Sequence, residues 1–285
     1  MRTLEIDGAQ IAVREWGDGV PIVFWHALGP AASGATIGEA APVLAERGYR
    51  TVAIDAPGFG GSDLLSPDRY RIAPILELVA GVVAALELER PVLMGHSWGG
   101  AVMMAAAAAA PGDARALVLL DSGHIDYGNL DDVDPSKPWE DWLAAAAERT
   151  ARWPNEAALE ADLRDAIPRW SDDLLACFLP GTHDDGSGLV GAPAEARAAA
   201  MWALASERVS VGWPAVAAAS LPTLLLLATR EPWETQNEEH LPRFRTALPH
   251  AEIRRVEGAG HALTADLGPE LGTLVADWLD RLPGR

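Results

Sequence analysis

Six short runs, five of them apolar and the last mixed, each bounded by turn residues and separated by stretches of helical pattern, restrict this chain more than any other feature. They are PIVFW (21–25), TVAID (51–55), PVLMG (91–95), ALVLLD (116–121), PTLLLLA (222–228) and EIRRVE (252–257). Runs that are apolar throughout, rather than alternating, belong to strands covered on both faces, as in parallel sheets packed between helices. Candidate helices fall between them at 41–47, 74–88, 98–110 and 269–281, and the N-terminal MRTLEIDGAQIAVREWG alternates like a first strand. The pattern predicts an α/β fold, a doubly wound and mostly parallel sheet. At 285 residues, 49% of them hydrophobic, the chain has the material for such a core.

One interval breaks the rhythm. From 125 to 214 there is no convincing buried strand, only helical stretches such as WEDWLAAAAERTARW, NEAALEADLRDAI and PAEARAAAMWALASERV. A helical insertion between consecutive strands emerges where loops gather over ligand sites, so 125–214 is expected to be a cap on a core made of 1–124 and 215–285. Trp139, Trp142, Trp153, Trp170, Trp202 and Trp213 all fall in it. Large aromatics there pack the cap onto the core, and two or three of them are expected to line an apolar pocket. The acidic cluster DDVDPS (131–136) reads as a solvated loop.

Charge and composition narrow the function. A formal charge of −19 repels nucleic-acid backbones and anionic membrane surfaces, so a small-molecule partner is expected, with no nucleic acid and no membrane. Cys177 is the one cysteine, so no intramolecular disulfide forms, and the start lacks the basic and apolar blocks of a secretory signal. The expected compartment is the cytoplasm, and a homodimer stays open. No metal-ligand cluster stands out, because HDD (183–185) lies in a glycine-rich turn, and no cofactor is expected.

The chemistry gathers around GHSWG (95–99), a G-x-S-x-G turn between the run PVLMG and the helical WGGAVMMAAAA. Glycines at 95 and 99 allow a turn tight enough to push Ser97 outward at a helix N-terminus, where unpaired N–H groups favour developing negative charge. A serine hydroxyl needs a base and a group to orient that base. His261, in the glycine-flexed loop after the last strand, is the expected base. Two carboxylates end strands in the chain order Ser, acid, His: Glu231 is the expected acid and Asp121 the alternative. Two N–H donors must hold an oxyanion. They are expected from Trp98, directly after the nucleophile, and from Leu28 in FWHALGP, a loop that His26 pins. His26, Trp139, Trp142, Trp202 and Trp233 are the expected substrate contacts.

In these pieces the chain resembles the α/β-hydrolase family, in its capped, esterase-like and epoxide-hydrolase-like branch. HALG (26–29) matches the oxyanion loop, DAPGFGGSD (55–63) the D-x-x-G-x-G-x-S turn, GHSWGG the elbow, LLLLATREPW the acid loop and GAGHAL the histidine loop, in family order across 21–263. The chain departs from the pattern at Ala27, where the family has glycine, and at Glu231, where aspartate is more frequent. Relatives that open epoxides or displace halides carry aspartate at the elbow; Ser97 implies acyl transfer instead. The resemblance thus implies a serine hydrolase cleaving an ester or lactone of a small, largely apolar substrate. Four other readings remain. A prolyl-type aminopeptidase would use lid acids such as Glu156, Glu160, Asp172 or Asp173. A carbon–carbon bond hydrolase and a cofactor-free perhydrolase would share the triad, and a non-catalytic ligand-binding relative would keep only the fold.

Overall fold

The structure, a computed structural model, describes residues 1–131 and 133–283, so part of the 131–136 cluster lies outside the described residues. The six runs are strands: β3 (Val20–Trp25), β4 (Tyr49–Ile54), β5 (Val92–His96), β6 (Ala116–Leu120), β10 (Thr223–Ala228) and β11 (Glu252–Val256). The N-terminal segment, expected as one strand, is a hairpin of β1 (Arg2–Ile6) and β2 (Ala9–Trp16). Its chain reverses at Asp7-Gly8, both with positive φ (49° and 74°), as a two-residue turn between right-twisted strands requires. The sheet runs β1-β2-β4-β3-β5-β6-β10-β11, with β1, β2 and β4 paired antiparallel and the rest parallel.

Side chains alternate between two cores. Ile22, Phe24, Met94, Val118 and Leu226 pack on one face against α1 (Ala40–Glu46) and α11 (Pro269–Leu279). Val23, Trp25, Leu117, Leu119 and Leu225 pack on the other against α2 (Ile72–Ala85) and α3 (Trp98–Ala109). These helices lie within a few residues of their predicted spans. The sequence reading passed over α9 (Trp233–Ala247), between β10 and β11, whose polar surface and internal Pro242 hide it although Asn237, Leu241 and Phe244 are buried.

Between β6 and β10 the chain leaves the sheet and forms α4 (Trp139–Glu148), α5 (Glu156–Ala166), α6 (Leu174–Phe178), α7 (Ala194–Ser206) and α8 (Trp213–Ala218). The cap is not wholly helical as expected: β7 (Arg152–Trp153), β8 (His183–Asp184) and β9 (Leu189–Val190) form a small antiparallel sheet. Two-residue strands hold too few side chains to show an alternating pattern. The expected boundary at 214 falls inside α8. Cap residues Trp153, Leu159, Leu163, Ile167 and Leu174 share a hydrophobic cluster with Ala31 and Ala265 of the core. Arg197 binds the carbonyls of Ala146 and Arg149 and the Thr150 hydroxyl, satisfying the open C-terminus of α4. Among the described residues no helix is long and apolar enough to cross a membrane. The short α10 (Leu263–Leu267) completes the helices.

Candidate functional site

Ser97 stands between β5 and α3 at φ 56°, ψ −120°, a conformation that costs a side-chain-bearing residue about 1–3 kcal/mol and persists only where its surroundings impose it. The elbow is that tight because its glycines are crowded. A Cβ on Gly95 would lie 2.1 Å from the Gly99 carbonyl oxygen, and one on Gly99 would lie 2.0 Å from that of Trp25. The Ser97 amide donates to the Leu120 carbonyl (3.1 Å), and its own carbonyl accepts from Gly100 N–H (2.9 Å) and the Ser122 hydroxyl.

His261 Nε2 lies 2.8 Å from Ser97 Oγ, and its Nδ1 lies 2.6 Å from Asp121 Oδ2. The expected acid, Glu231, is not on the histidine: it is exposed and accepts a hydrogen bond from the Thr235 hydroxyl (2.7 Å). Asp121 is the carboxylate that reaches the ring, as the alternative reading had it. β6 and β10 are neighbours, and the Asp121 amide bonds to the Leu226 carbonyl (2.8 Å), so an acid just past either strand end approaches the same imidazole. Asp121 Oδ1 also accepts from the Ala228 amide (2.8 Å) and Asn237 Nδ2 (2.7 Å). Burial alone would lift this carboxyl. The hydrogen bonds from His261, Ala228 and Asn237 outweigh burial and hold it below the usual carboxylate range. Asn237 in turn accepts from His124 Nε2 (3.0 Å).

The histidine loop is tied down at several points. The Ala259 carbonyl accepts from Thr229 (3.0 Å) and Arg230 (2.9 Å), and the Gly260 amide donates to Asp266 (2.5 Å). His96, one residue before the nucleophile, donates Nε2–H to the His261 carbonyl (2.6 Å). Burial drives its ring down to about 3, so it stays neutral. The sequence reading gave His96 no role. Its place in the elbow motif, beside a loop it must face, was the available signal.

The oxyanion loop leaves β3 at Trp25. His26 is fully buried, donates Nδ1–H to the Ala27 carbonyl (2.7 Å) and accepts from the Ala56 amide at Nε2 (3.0 Å). Both nitrogens are therefore used on backbone. His26 pins the loop and offers substrate no polar atom, which corrects its assignment as a substrate contact. Burial lowers its proton affinity and keeps it neutral. Asp55 adds a second tie, accepting from the Gly34 (2.7 Å) and Gly61 (3.0 Å) amides, so the 55–63 turn also braces this loop. Trp98 begins α3, where the first amides of a helix have no intrahelical acceptor. Leu28 follows His26 in the braced loop.

The cap tryptophans divide. Trp153 and Trp213 are buried, their indoles donating to Asp162 (3.0 Å) and to the Gly123 carbonyl (2.9 Å). Trp142 lines a cavity of about 200 Å³ with Leu28, Ala198 and Met201. Trp139 and Trp202 pack together (ring centroids 6.0 Å), with the Arg71 guanidinium over Trp202. Of the four tryptophans expected to meet substrate, Trp233 is the one stacked on His261. Sequence reasoning also missed Tyr127, at the exit from β6 into the cap. Burial lifts its phenol to about 12, so it stays protonated beside the side chains of Ser97 and Ser122. Its place at a strand-to-cap junction, where chain overhangs the sheet's C-terminal ends, was the one signal for it.

A serine hydroxyl facing a histidine whose far nitrogen rests on a buried carboxylate is the arrangement that lets serine give up its proton as it attacks. The α/β-hydrolase fold family model matches residues 20–266. The chain belongs to that family. Within the family, it is 34% identical over 116 residues to a putative non-heme haloperoxidase of Mycobacterium phage D29, covering 41% of each chain. It is 30% identical over 127 residues to a 2-hydroxy-6-oxo-2,4-heptadienoate hydrolase of Pseudomonas putida, covering 45% of this chain and 46% of that one. These alignments thus span less than half of either relative. The thioesterase domain from the curacin biosynthetic pathway superposes with a TM-score of 0.76 at 23% identity, covering 96% of this chain and 98% of that one.

Proposed function

We propose that this α/β-hydrolase cleaves the ester or lactone of a small, largely apolar molecule through an acyl-enzyme on Ser97. The observation that carries the reading is the hydrogen-bonded series Ser97 Oγ, His261 Nε2, His261 Nδ1, Asp121 Oδ2, at 2.8 and 2.6 Å. As Ser97 Oγ bonds to the carbonyl carbon, its proton passes to His261 Nε2, and Asp121 steadies the resulting imidazolium. The amides of Leu28 and Trp98 receive the negative charge that develops on the carbonyl oxygen. Collapse of the intermediate breaks the bond to the leaving alcohol, which takes the proton from His261. Water, deprotonated by the same ring, then attacks the acyl carbon and returns Ser97 to its hydroxyl form. No step calls on a metal or an organic cofactor.

The test is hydrolysis of p-nitrophenyl esters from acetate to octanoate, with the chain-length optimum reporting pocket depth. Ser97→Ala is expected to abolish turnover. Asp121→Asn is expected to cost about 10³–10⁴-fold in kcat. Glu231→Gln, at an exposed side chain, stays within about twofold. Loss of activity in Glu231→Gln with an active Asp121→Asn would reverse the assignment of the acid. The likeness to the heptadienoate hydrolase supports a second reading, carbon–carbon cleavage by the same triad. A wild type that turns over that relative's dienoate and ignores every ester selects it.

A further inference from the structure

The loop after β10, which the family resemblance assigns to the acid, supplies no carboxylate to His261. It supplies an indole. The Trp233 and His261 rings are stacked with centroids 4.0 Å apart and planes 15° from parallel. Trp233 opens α9, and Asn237, one helical turn later on the same face, donates to Asp121 (2.7 Å). One face of one helix thus touches both the base and the acid that orients it. We propose that Trp233 is a positioning residue for the base: its ring fixes the His261 imidazole in line with Ser97 and favours the imidazolium that forms during attack. The proposal rests on His261 acting as the base in the acyl-transfer reading.

The physical reason is that a cation against the face of an indole is attracted by the ring quadrupole, whereas a neutral imidazole gains much less. Ser97 and Asp121 already occupy the two ring nitrogens. Rotation out of the plane they define remains free unless a face is covered, and Trp233 covers one. The other groups around the ring come from separate elements: His96 at the end of β5, its ring centroid 5.3 Å away, and Tyr127 from the cap. Arg230 pairs with Asp266 (3.4 Å) beside Gly260. Of these neighbours, Asp121 supplies the direct ionic contact, so Trp233 adds to it rather than replacing it. A substrate wall, the role the sequence suggested for Trp233, would act on binding instead.

Trp233→Leu and Trp233→Phe separate the two. Trp233→Leu is expected to lower kcat by about three- to thirty-fold with little change in KM. Removing the ring also takes away the attraction that favours the imidazolium, so the acid limb of the kcat/KM profile moves to lower pH. Trp233→Phe keeps an aromatic face and recovers most of both. The rate of Ser97 labelling by a fluorophosphonate should fall with kcat, and circular dichroism checks that each variant folds. A raised KM with unchanged kcat and an unmoved acid limb, or a Leu variant that matches wild type, overturns the proposal while leaving acyl transfer intact. A wild type inert to esters and to the fluorophosphonate overturns the acyl-transfer reading, and this proposal falls with it.

Discussion

At the scale of single residues, the site is a set of polar atoms each given a defined partner. Asp121 has Oδ2 on His261 and Oδ1 on a backbone amide and Asn237, which leaves it little freedom to turn or to take up a proton. His26 and His96 flank the active serine's loops, yet His26 spends both ring nitrogens on backbone and His96 spends Nε2 on the His261 carbonyl, so both set loop geometry. Tyr127 is the residue most directly exposed to test. Its phenol lies beside the Ser97 side chain and can donate to the reacting atoms during turnover, so Tyr127→Phe should reduce kcat by about five- to tenfold while the fold stays intact. Steady-state kinetics beside a thermal melt measures both. Equal kcat in the two proteins would make the phenol a packing group.

Among elements, the elbow shows how backbone crowding sets chemistry. β5 and α3 meet through two glycines because the carbonyls of Gly99 and Trp25 occupy the space their side chains would need. Gly99→Ala is expected to push α3 off the sheet and destabilise the protein by about 3 kcal/mol or more, read as a fall in the urea midpoint. The elbow was legible because strand, glycine pair and helix lie within a few residues of one another. α9 was not, since its amphipathic stripe is thin and contains a proline, yet it delivers both Asn237 and Trp233 to the base and acid. The cap attaches beside the same loops. Arg169 bonds to the Ala265 carbonyl (3.0 Å) and to Glu39, and Ser171 also bonds to Glu39 (2.5 Å), so cap and histidine loop share a brace.

Across the whole molecule, buried histidines give stability a pH dependence of known sign. His26, His96 and His124 are all held below the usual histidine value of 6.5, burial being the leading cause in each. The unfolded chain therefore binds protons below about pH 6.5 that the folded chain refuses. Stability falls as pH drops through that window, which for His96 extends to about 3, at a slope approaching about 1.4 kcal/mol per pH unit for each ring. Asp121 adds a loss in the same direction at lower pH, as protonation releases its hydrogen bonds. Urea midpoints measured between pH 7 and 5 should decline steeply, and His124→Asn should flatten the decline. A flat profile in the wild type would mean that these rings take up protons in the folded state. The α/β architecture, the helices of the cap though not its small sheet, Ser97 and His261 were readable in the sequence, because each is written in a local pattern of period, turn chemistry or motif. The pairing of His261 with Asp121 rather than Glu231, the tie from His96 to the histidine loop, the approach of Tyr127 and the stacking of Trp233 were decided by tertiary structure alone. They depend on which strand ends lie side by side and which loops cross them, and residues far apart in the chain carry no local trace of that.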